Sequence, residues 1–436
     1  MIRLVYALAT LVVITFPARA EITIQELTTP AGINVWLVEE NTLPFTALEI
    51  RFRGGTSLDR PDKRGAVNLM VGLLEEGSGD LDARAFAEAR ETLAVSFSFG
   101  AYDDVVTVSA QFLTENRDAA TDLLHAALTE PRFDQSAIDR VRAQVMSHLS
   151  ARVTDPNAIA GEAWDKMAYG DHPYGTYQSG TPESVASLTR DDLETALADA
   201  IALDRIYVAA VGDISAGDLS QLLDRLFDGL PAKGAPLPER AEFSLTGGTT
   251  VVPFDTPQSV AMFGQVGITR EDPDFFAAFV LNEVLGGRSS NSRLMNEVRE
   301  KRGLTYGIGT YLADADLSET IMGHFSSQNG SMAEAIQVVR AEWAKIAEDG
   351  ITQDELTAAQ TYLTGSYPLR FDGNATIANI MVSMQMEDLP TDYIATRNDQ
   401  VMAVTLDDTK RVAARLYDPN ALHFVVVGQP DGVVSN

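Results

Sequence analysis

The chain has 436 residues, enough for two domains with separate cores, and its 45 % hydrophobic content is ordinary for a globular protein. A formal net charge of −29 argues against a nucleic-acid binder, which needs a basic face to displace phosphate counterions. The absence of cysteine excludes disulfides, thiolate metal sites and cysteine nucleophiles, so the cores alone must hold the fold. The acidic balance suits cationic peptides and, more simply, keeps a surface well solvated.

In chain order, the N-terminus comes first. Arg3, the apolar run Leu4–Phe16 and the small-x-small site Ala18-Arg19-Ala20 have the three parts of a secretory leader. The run is shorter than the ~20 residues that span a bilayer. A leader over 1–20 is expected, with the mature chain starting near Glu21 in the periplasm.

Ile33–Glu39 and Thr46–Arg53 alternate like paired strands, and the apolar spacing from Ala66 to Leu74 predicts a helix over Lys63–Glu76. Glu75 and Glu76 point in different directions on such a helix and are expected on a solvated face. Asp82 is placed to cap a second helix running to about Leu93. Strands at Val95–Phe99 and Val105–Gln111, helices at Arg117–Leu128 and Gln135–Arg152, and helices around Tyr169–Glu183 precede an apolar strand at Arg205–Gly212. Leu230–Phe243 concentrates proline, glycine and charge. It marks a linker at 233–243 between domains at 21–232 and 244–436.

The second half repeats the order: strands Val251–Phe254 and Ser259–Gln265, helices Phe275–Leu285 and Arg293–Glu300, strands Tyr306–Leu312 and Thr320–Ser326. Helices Ser331–Asp349 and Gln353–Gly365, the latter capped by Thr352, lead to a last strand, His423–Gly428, that echoes Arg205–Gly212. The repeat is too long for a solenoid. It predicts an α+β protein made of two homologous domains, each a mainly antiparallel sheet packed with helices.

Three stretches, in order, carry a resemblance: FRGGTSLDRPDKRGAVN (52–68), DHPYGTYQSGTPESVASLTRDDL (171–193) and LNEVLGGRSSNSRLMNEVREKRGLTYGIGTY (281–311). Together with the duplication, they resemble the pitrilysin/insulinase clan of zinc peptidases, especially the mitochondrial processing peptidase branch, over nearly all of the mature chain. The resemblance implies a clam-like chamber of which this chain forms half. Catalytic members carry His-x-x-Glu-His on the helix after the first stretch and a distal glutamate on a later long helix. Here the three ligand positions read Asn68, Gly72 and His148, and the general-base position reads Val71. Valine and glycine offer no metal donor, and one histidine without partners is not a site. No cofactor is therefore expected in this chain; the zinc is expected in a partner. His172, in DHPYG, is read as structural at a helix start.

What the resemblance leaves is a pair in the second half. Family members use an arginine and a tyrosine, spaced i and i+7, to bind the substrate backbone and the tetrahedral intermediate; this chain has Arg299 and Tyr306 at that spacing. Arginine presents a rigid fork of donors and a phenol donates to developing oxyanion charge. Arg302 suits a surface role. The loop Gly286–Ser292 falls where the processing peptidase's non-catalytic chain has a substrate-selecting glycine-rich loop, and is expected to be a helix–helix connection with glycine at positive φ. The function expected is that of a non-catalytic subunit of an exported heterodimeric zinc peptidase, lending Arg299 and Tyr306 in trans to peptide substrates. A structural subunit without a role in turnover, and a peptide-binding homodimer, are the alternatives.

Overall fold

The structure, a computed structural model, describes residues 22–436; the leader expected at 1–20 lies outside them. The first half runs β1 (Gln25–Thr28), β2 (Asn34–Glu39), β3 (Phe45–Arg53), α1 (Ala66–Val71), β4 (Gly77–Ser78), β5 (Leu81–Asp82), α2 (Ala83–Leu93), β6 (Ser96–Ala101), β7 (Val105–Leu113), α3 (Arg117–Thr129) and α4 (Gln135–Arg152). It continues with α5 (Pro156–Tyr169), α6 (Pro182–Ser187), α7 (Arg190–Ala200), β8 (Ile206–Gly212) and α8 (Ala216–Leu226). The second half runs β9 (Gly248–Pro253), β10 (Gln258–Val266), α9 (Phe275–Gly286), a π-helical turn at Met295–Glu300, β11 (Ile308–Ala315) and β12 (Ser318–Gln328). It ends with α10 (Met332–Asp349), α11 (Gln353–Ser366), α12 (Asn374–Met386), α13 (Tyr393–Ala403), α14 (Leu406–Leu416) and β13 (His423–Gly428). Among the described residues no helix is long and apolar enough to cross a membrane.

The duplication holds for five strands of each sheet, and β1 at the edge of the first has no counterpart. The first sheet is ordered β1-β2-β8-β3-β7-β6 and the second, read from its far edge, β9-β13-β10-β12-β11. Each has one parallel pair, β2 with β8 and β9 with β13, in an otherwise antiparallel sheet. The glycines that end β8 and β13, Gly212 and Gly428, share the same left-handed φ of +147°. A Cβ on Gly212 would come within 2.7 Å of Thr46 Cα and one on Gly428 within 2.8 Å of Ser259 Cα, so both strands end against the neighbour they pair with. The expected fold class, an α+β pair of homologous domains, is what the chain adopts.

Local chemistry explains most elements. Asp82 accepts from the Ala85 amide and starts α2, and Thr352 and Glu355 form a reciprocal capping box at α11. One core packs the first sheet against helices on one face, with Phe52, Phe86, Leu69 and Leu223 fully enclosed. The second core gathers Phe263, Phe325, Trp343 and Phe424 in the same way.

The other face of each sheet is covered by the opposite half. α5, from the first half, lies on β10 and β13, where Trp164 and Ala168 meet Met322 and Val425. α12, from the second half, lies on β3 and β8, where Met381, Val382 and Met384 meet Trp36, Ala47, Ala209 and Val211. Gln385 of α12 donates to the Val208 carbonyl at 2.7 Å and accepts from the Val208 amide at 3.3 Å. Small residues make the fit possible: a Cβ on Gly264 in mid-β10 would stand 3.2 Å from Trp164 Cη2. The segment 230–247 has no regular structure and is pinned, with Ser244 bonded to Ala168 and Phe243 packed on Trp164 and Tyr169.

Because each sheet depends on a helix from the other half, both halves are expected to unfold in one transition. Trp164→Ala should lower stability by about 3–5 kcal/mol, the cost of emptying a large buried aromatic site. Urea unfolding followed by far-UV circular dichroism checks both points; two separate transitions would contradict the interlock.

Candidate functional site

The entry to α1 is held by a buried carboxylate. Asp59 accepts from the amides of Gly65 at 2.7 Å and Val67 at 2.9 Å, which satisfies donors at the helix start that have no partner within the helix. Burial pushes the Asp59 carboxyl up to about 7 against the pull of those amides and of Arg64. Gly65 is glycine for two reasons: its φ is +90°, and a Cβ there would sit 2.5 Å from the Ser179 carbonyl.

α1 itself is shorter than expected, ending at Val71 instead of Glu76. Gly72 starts no further α-turn, and Leu73 and Leu74 bond back only three residues, to Met70 and Val71. Asn68 is half-buried, its backbone carbonyl bonded to the Gly72 amide, and Val71 is core. Gly72 lets α4 come close: a Cβ there would lie 3.1 Å from Val141 Cγ1. His148, further along α4, faces away into other company. Its Nε2 lies 3.0 Å from the Tyr177 hydroxyl, and the Arg152 guanidinium stacks 3.4 Å from the Tyr177 ring centre.

Asn68, Val71, Gly72 and His148 therefore do not fit zinc. The metal takes imidazole, thiolate or carboxylate donors in a tetrahedral set, and three of these four positions carry an amide, an alkyl group and no side chain. No cluster of three histidine, cysteine or acidic residues that could hold a metal exists among the described residues. Glu75 and Glu76 are not on a solvated face, as the helical pattern implied. Because α1 stops early, they turn inward to pair with Arg90 of α2 and Arg140 of α4.

The second-half pair is presented differently. The segment Arg293–Glu300 starts as α-helix and widens to a π-turn at Met295. Arg293 anchors it with a fork to Glu355, at 2.7 and 2.8 Å, and a further bond to the Gly350 carbonyl. Arg302 and Lys301 are both committed to Glu297, at 2.7 and 2.5 Å. Among the described residues Arg299 is left with only its neighbour Glu300, at 3.6 Å, and is half-exposed. Tyr306 was expected to open a strand; instead β11 starts at Ile308, and Tyr306 stands in the preceding loop with 90 % of its surface exposed. Gly303, at φ +62°, turns the chain between the two.

The loop after α9 is a connection, as expected, but its glycines do not supply positive φ. They permit close approach: Cβ atoms would stand 2.5 Å from Thr310 Oγ1 at Gly286 and 2.5 Å from Glu283 Cα at Gly287. The Glu283 carboxylate then accepts from the Ser289 amide and closes the loop. His172 caps the turn Pro173–Gly175, accepting from the Tyr174 amide at 3.2 Å, with its Nε2 3.0 Å from the Glu239 carbonyl. That is a structural role.

Two family models match in tandem: the insulinase family (peptidase family M16) over residues 35–181 and the peptidase M16 inactive domain over 187–363. Their junction falls inside the first half, whose central strand β8 follows it. The chain is 26 % identical to a non-peptidase homolog, YmxG, of Helicobacter pylori, covering 91 % of this chain and 92 % of that one. It is 24 % identical to an uncharacterized zinc protease, YmxG, of Bacillus subtilis, over 80 % and 85 % of the two chains. Among solved structures, a peptidase M16 inactive domain from Pseudomonas fluorescens superposes with a TM-score of 0.88 at 28 % identity, covering 95 % of this chain and 99 % of that one.

Two outcomes follow from the geometry. Gly72→His should destabilise the protein by about 1–3 kcal/mol by overpacking, and Val141→Ala should recover part of that in a double-mutant cycle read by denaturant unfolding. The second concerns acid. Burial pushes the Glu355 carboxyl up, but the Arg293 fork and the Thr352 amide outweigh it and hold the group down at about 2. A depressed carboxylate contributes stability above its ordinary value, and that stability is lost as pH falls towards 2. Glu355→Gln should therefore be less stable than wild type near neutrality, with the gap closing over that acid window in urea melts.

Proposed function

Because the chain belongs to the M16 insulinase family as an inactive, peptidase-like member, we propose that it is the non-catalytic companion of a zinc-bearing chain of the same fold. The two would close as halves of one chamber outside the cytoplasm, the expected leader directing this half to the periplasm. The partner's zinc would supply the activated water. This chain's own part is to bind and orient: Arg299 would fork onto a peptide carbonyl of the substrate, and Tyr306 would donate its phenolic hydrogen to the oxyanion as charge develops. Extended peptides would add to an exposed strand edge through main-chain hydrogen bonds.

The single observation that carries this reading is the freedom of Arg299 and Tyr306. Neighbouring cations are tied to Glu297, yet among the described residues Arg299 has no partner beyond the adjacent one, and Tyr306 exposes 90 % of its surface. A tyrosine so exposed contributes little to its own fold, while an aromatic with a polar tip is well suited to meet a substrate or a partner. The charge balance supports the same reading, since an acidic wall attracts basic peptides.

The experiment is to purify this chain with the M16 peptidase that accompanies it and measure peptide turnover. Arg299→Ala and Tyr306→Phe should each lower kcat by about 10²-fold, the loss seen for a single oxyanion donor, with the dimer intact by gel filtration. Unchanged kinetics would assign the chain a purely structural role. Turnover by the isolated, zinc-loaded chain would overturn the proposal.

A further inference from the structure

Between the two halves lies a cavity of about 410 Å³. Its roof is α5 and the loop that follows; its floor is β10, β11 and β12. The volume falls within the ~300–1,000 Å³ typical of small-molecule sites. The lining is chemically one-sided. Asp103 and Asp165 contribute carboxylates, while no lysine, arginine or histidine lines it. Five aromatic side chains, Trp164, Tyr169, Tyr174, Tyr177 and Tyr311, line it with those carboxylates, Tyr174 with its hydroxyl already donated to Asp104.

The carboxylates are short of partners. Asp103 accepts from Thr56 Oγ1 at 3.2 Å and feels the charge of Arg64, which is itself bonded to the Asp59 carbonyl at 2.8 Å. Asp165 receives no hydrogen bond from the described residues, and burial pushes it up to about 7, with the Asp103 charge adding to the shift. Arg152, the cation it feels, is engaged elsewhere, stacked on Tyr177 and bonded to Glu162 at 3.0 Å. Tyr311 lines the same cavity as Asp165, and burial together with the Asp165 charge raises its phenol. With Arg152 committed to Tyr177 and Glu162, Asp165 is largely enclosed without a cation of its own, and such an acid costs the fold unless another group meets it.

We propose that this cavity binds an organic cation, a guanidinium or primary ammonium group, held by Asp165 and Asp103 and faced by the rings of Trp164, Tyr169, Tyr177 and Tyr311. The N–H donors of such a group satisfy the carboxylates, and the ring faces add attraction to the same positive charge. A bare divalent ion is a poorer fit, because it needs six or more oxygen ligands and gains little from aromatic walls. The cation has two sources, a basic side chain of a peptide or a free amine. The site needs no partner chain and stands independently of the companion role proposed above.

Calorimetric titration of the purified full chain tests this, at about pH 8, where carboxylates ionise, and about 0.15 M salt, which screens attraction to the net charge. The probes are agmatine, an acetylated and amidated Gly-Arg-Gly peptide, and its uncharged citrulline counterpart. At least one cation should bind about tenfold or more tighter than the citrulline peptide. Asp165→Asn should weaken that cation by about tenfold or more, and Tyr311→Leu by about threefold. Asp80→Asn, on an exposed turn, should change nothing. Asp165→Asn removes a buried charge, so its melting temperature should be no lower than wild type, which separates lost binding from lost folding. Tighter binding of the arginine peptide supports the site with a peptide side chain as its occupant; tighter agmatine supports it with a free amine. No binding of either cation at millimolar concentration, equal binding of citrulline, or unchanged affinity in Asp165→Asn would overturn the proposal.

Discussion

The structure depends on a reciprocal exchange: α5 leaves the first half to cover the second sheet, and α12 leaves the second half to cover the first. A sheet with two apolar faces needs a layer on each. Each half of this chain builds only one of the two layers it needs. The central strands say so in their composition. β8 reads Ile-Tyr-Val-Ala-Ala-Val-Gly and β13 His-Phe-Val-Val-Val-Gly, with little polar interruption, and both are almost wholly buried. The interface cavity and the pinned linker both rest on this exchange, since each is bounded by α5 or by the loop that follows it.

The loss of the zinc ligands has a physical signature beyond missing donors. Where the resemblance puts a metal site, α1 and α4 are in contact at Gly72 and Val141, α1 stops early, and the acidic pair behind it bonds to Arg90 and Arg140. In the first half that position is occupied by packing. In the second half the opposite holds: Arg299 and Tyr306 remain outside every network their neighbours form. Membership among the inactive M16 proteins fits this division, in which one half has become scaffold and the other still offers free polar groups.

Much of this was legible in the residues. Asp82 and Thr352 announced their helices through capping chemistry, Gln135–Arg152 follows the Pro-Arg-Phe-Asp break with the bounds read for it, and the Pro-Gly-rich run after Leu230 falls in a segment without regular structure. Other parts were not. The helices α13 and α14 went unread although α14 carries an amphipathic face and a Thr405–Asp408 capping box, whereas α12 went unread because it carries no amphipathic stripe. That pattern follows from its burial between halves, a tertiary fact with no local signal. Which sheet a helix covers is likewise absent from periodicity. The early stop of α1 was written in Gly72, but the apolar spacing on either side of it outweighed one residue. Tyr306 was read as the start of a strand, whereas it stands in the loop that follows the turn at Gly303, before β11 begins at Ile308. The cavity's lining comes from five separate segments that only folding brings together.

The exchanged helices also decide how the chain can move. Hinge bending between two domains requires an interface that parts or slides at low cost. Here, swinging one half away from the other would peel α5 from one sheet and α12 from the other at the same moment, uncovering Trp164 and Met381 to water. Internal articulation is thereby closed off, and the chain behaves as a single stiff lever. If a chamber opens and shuts around a peptide, the pivot lies between this chain and whatever faces it.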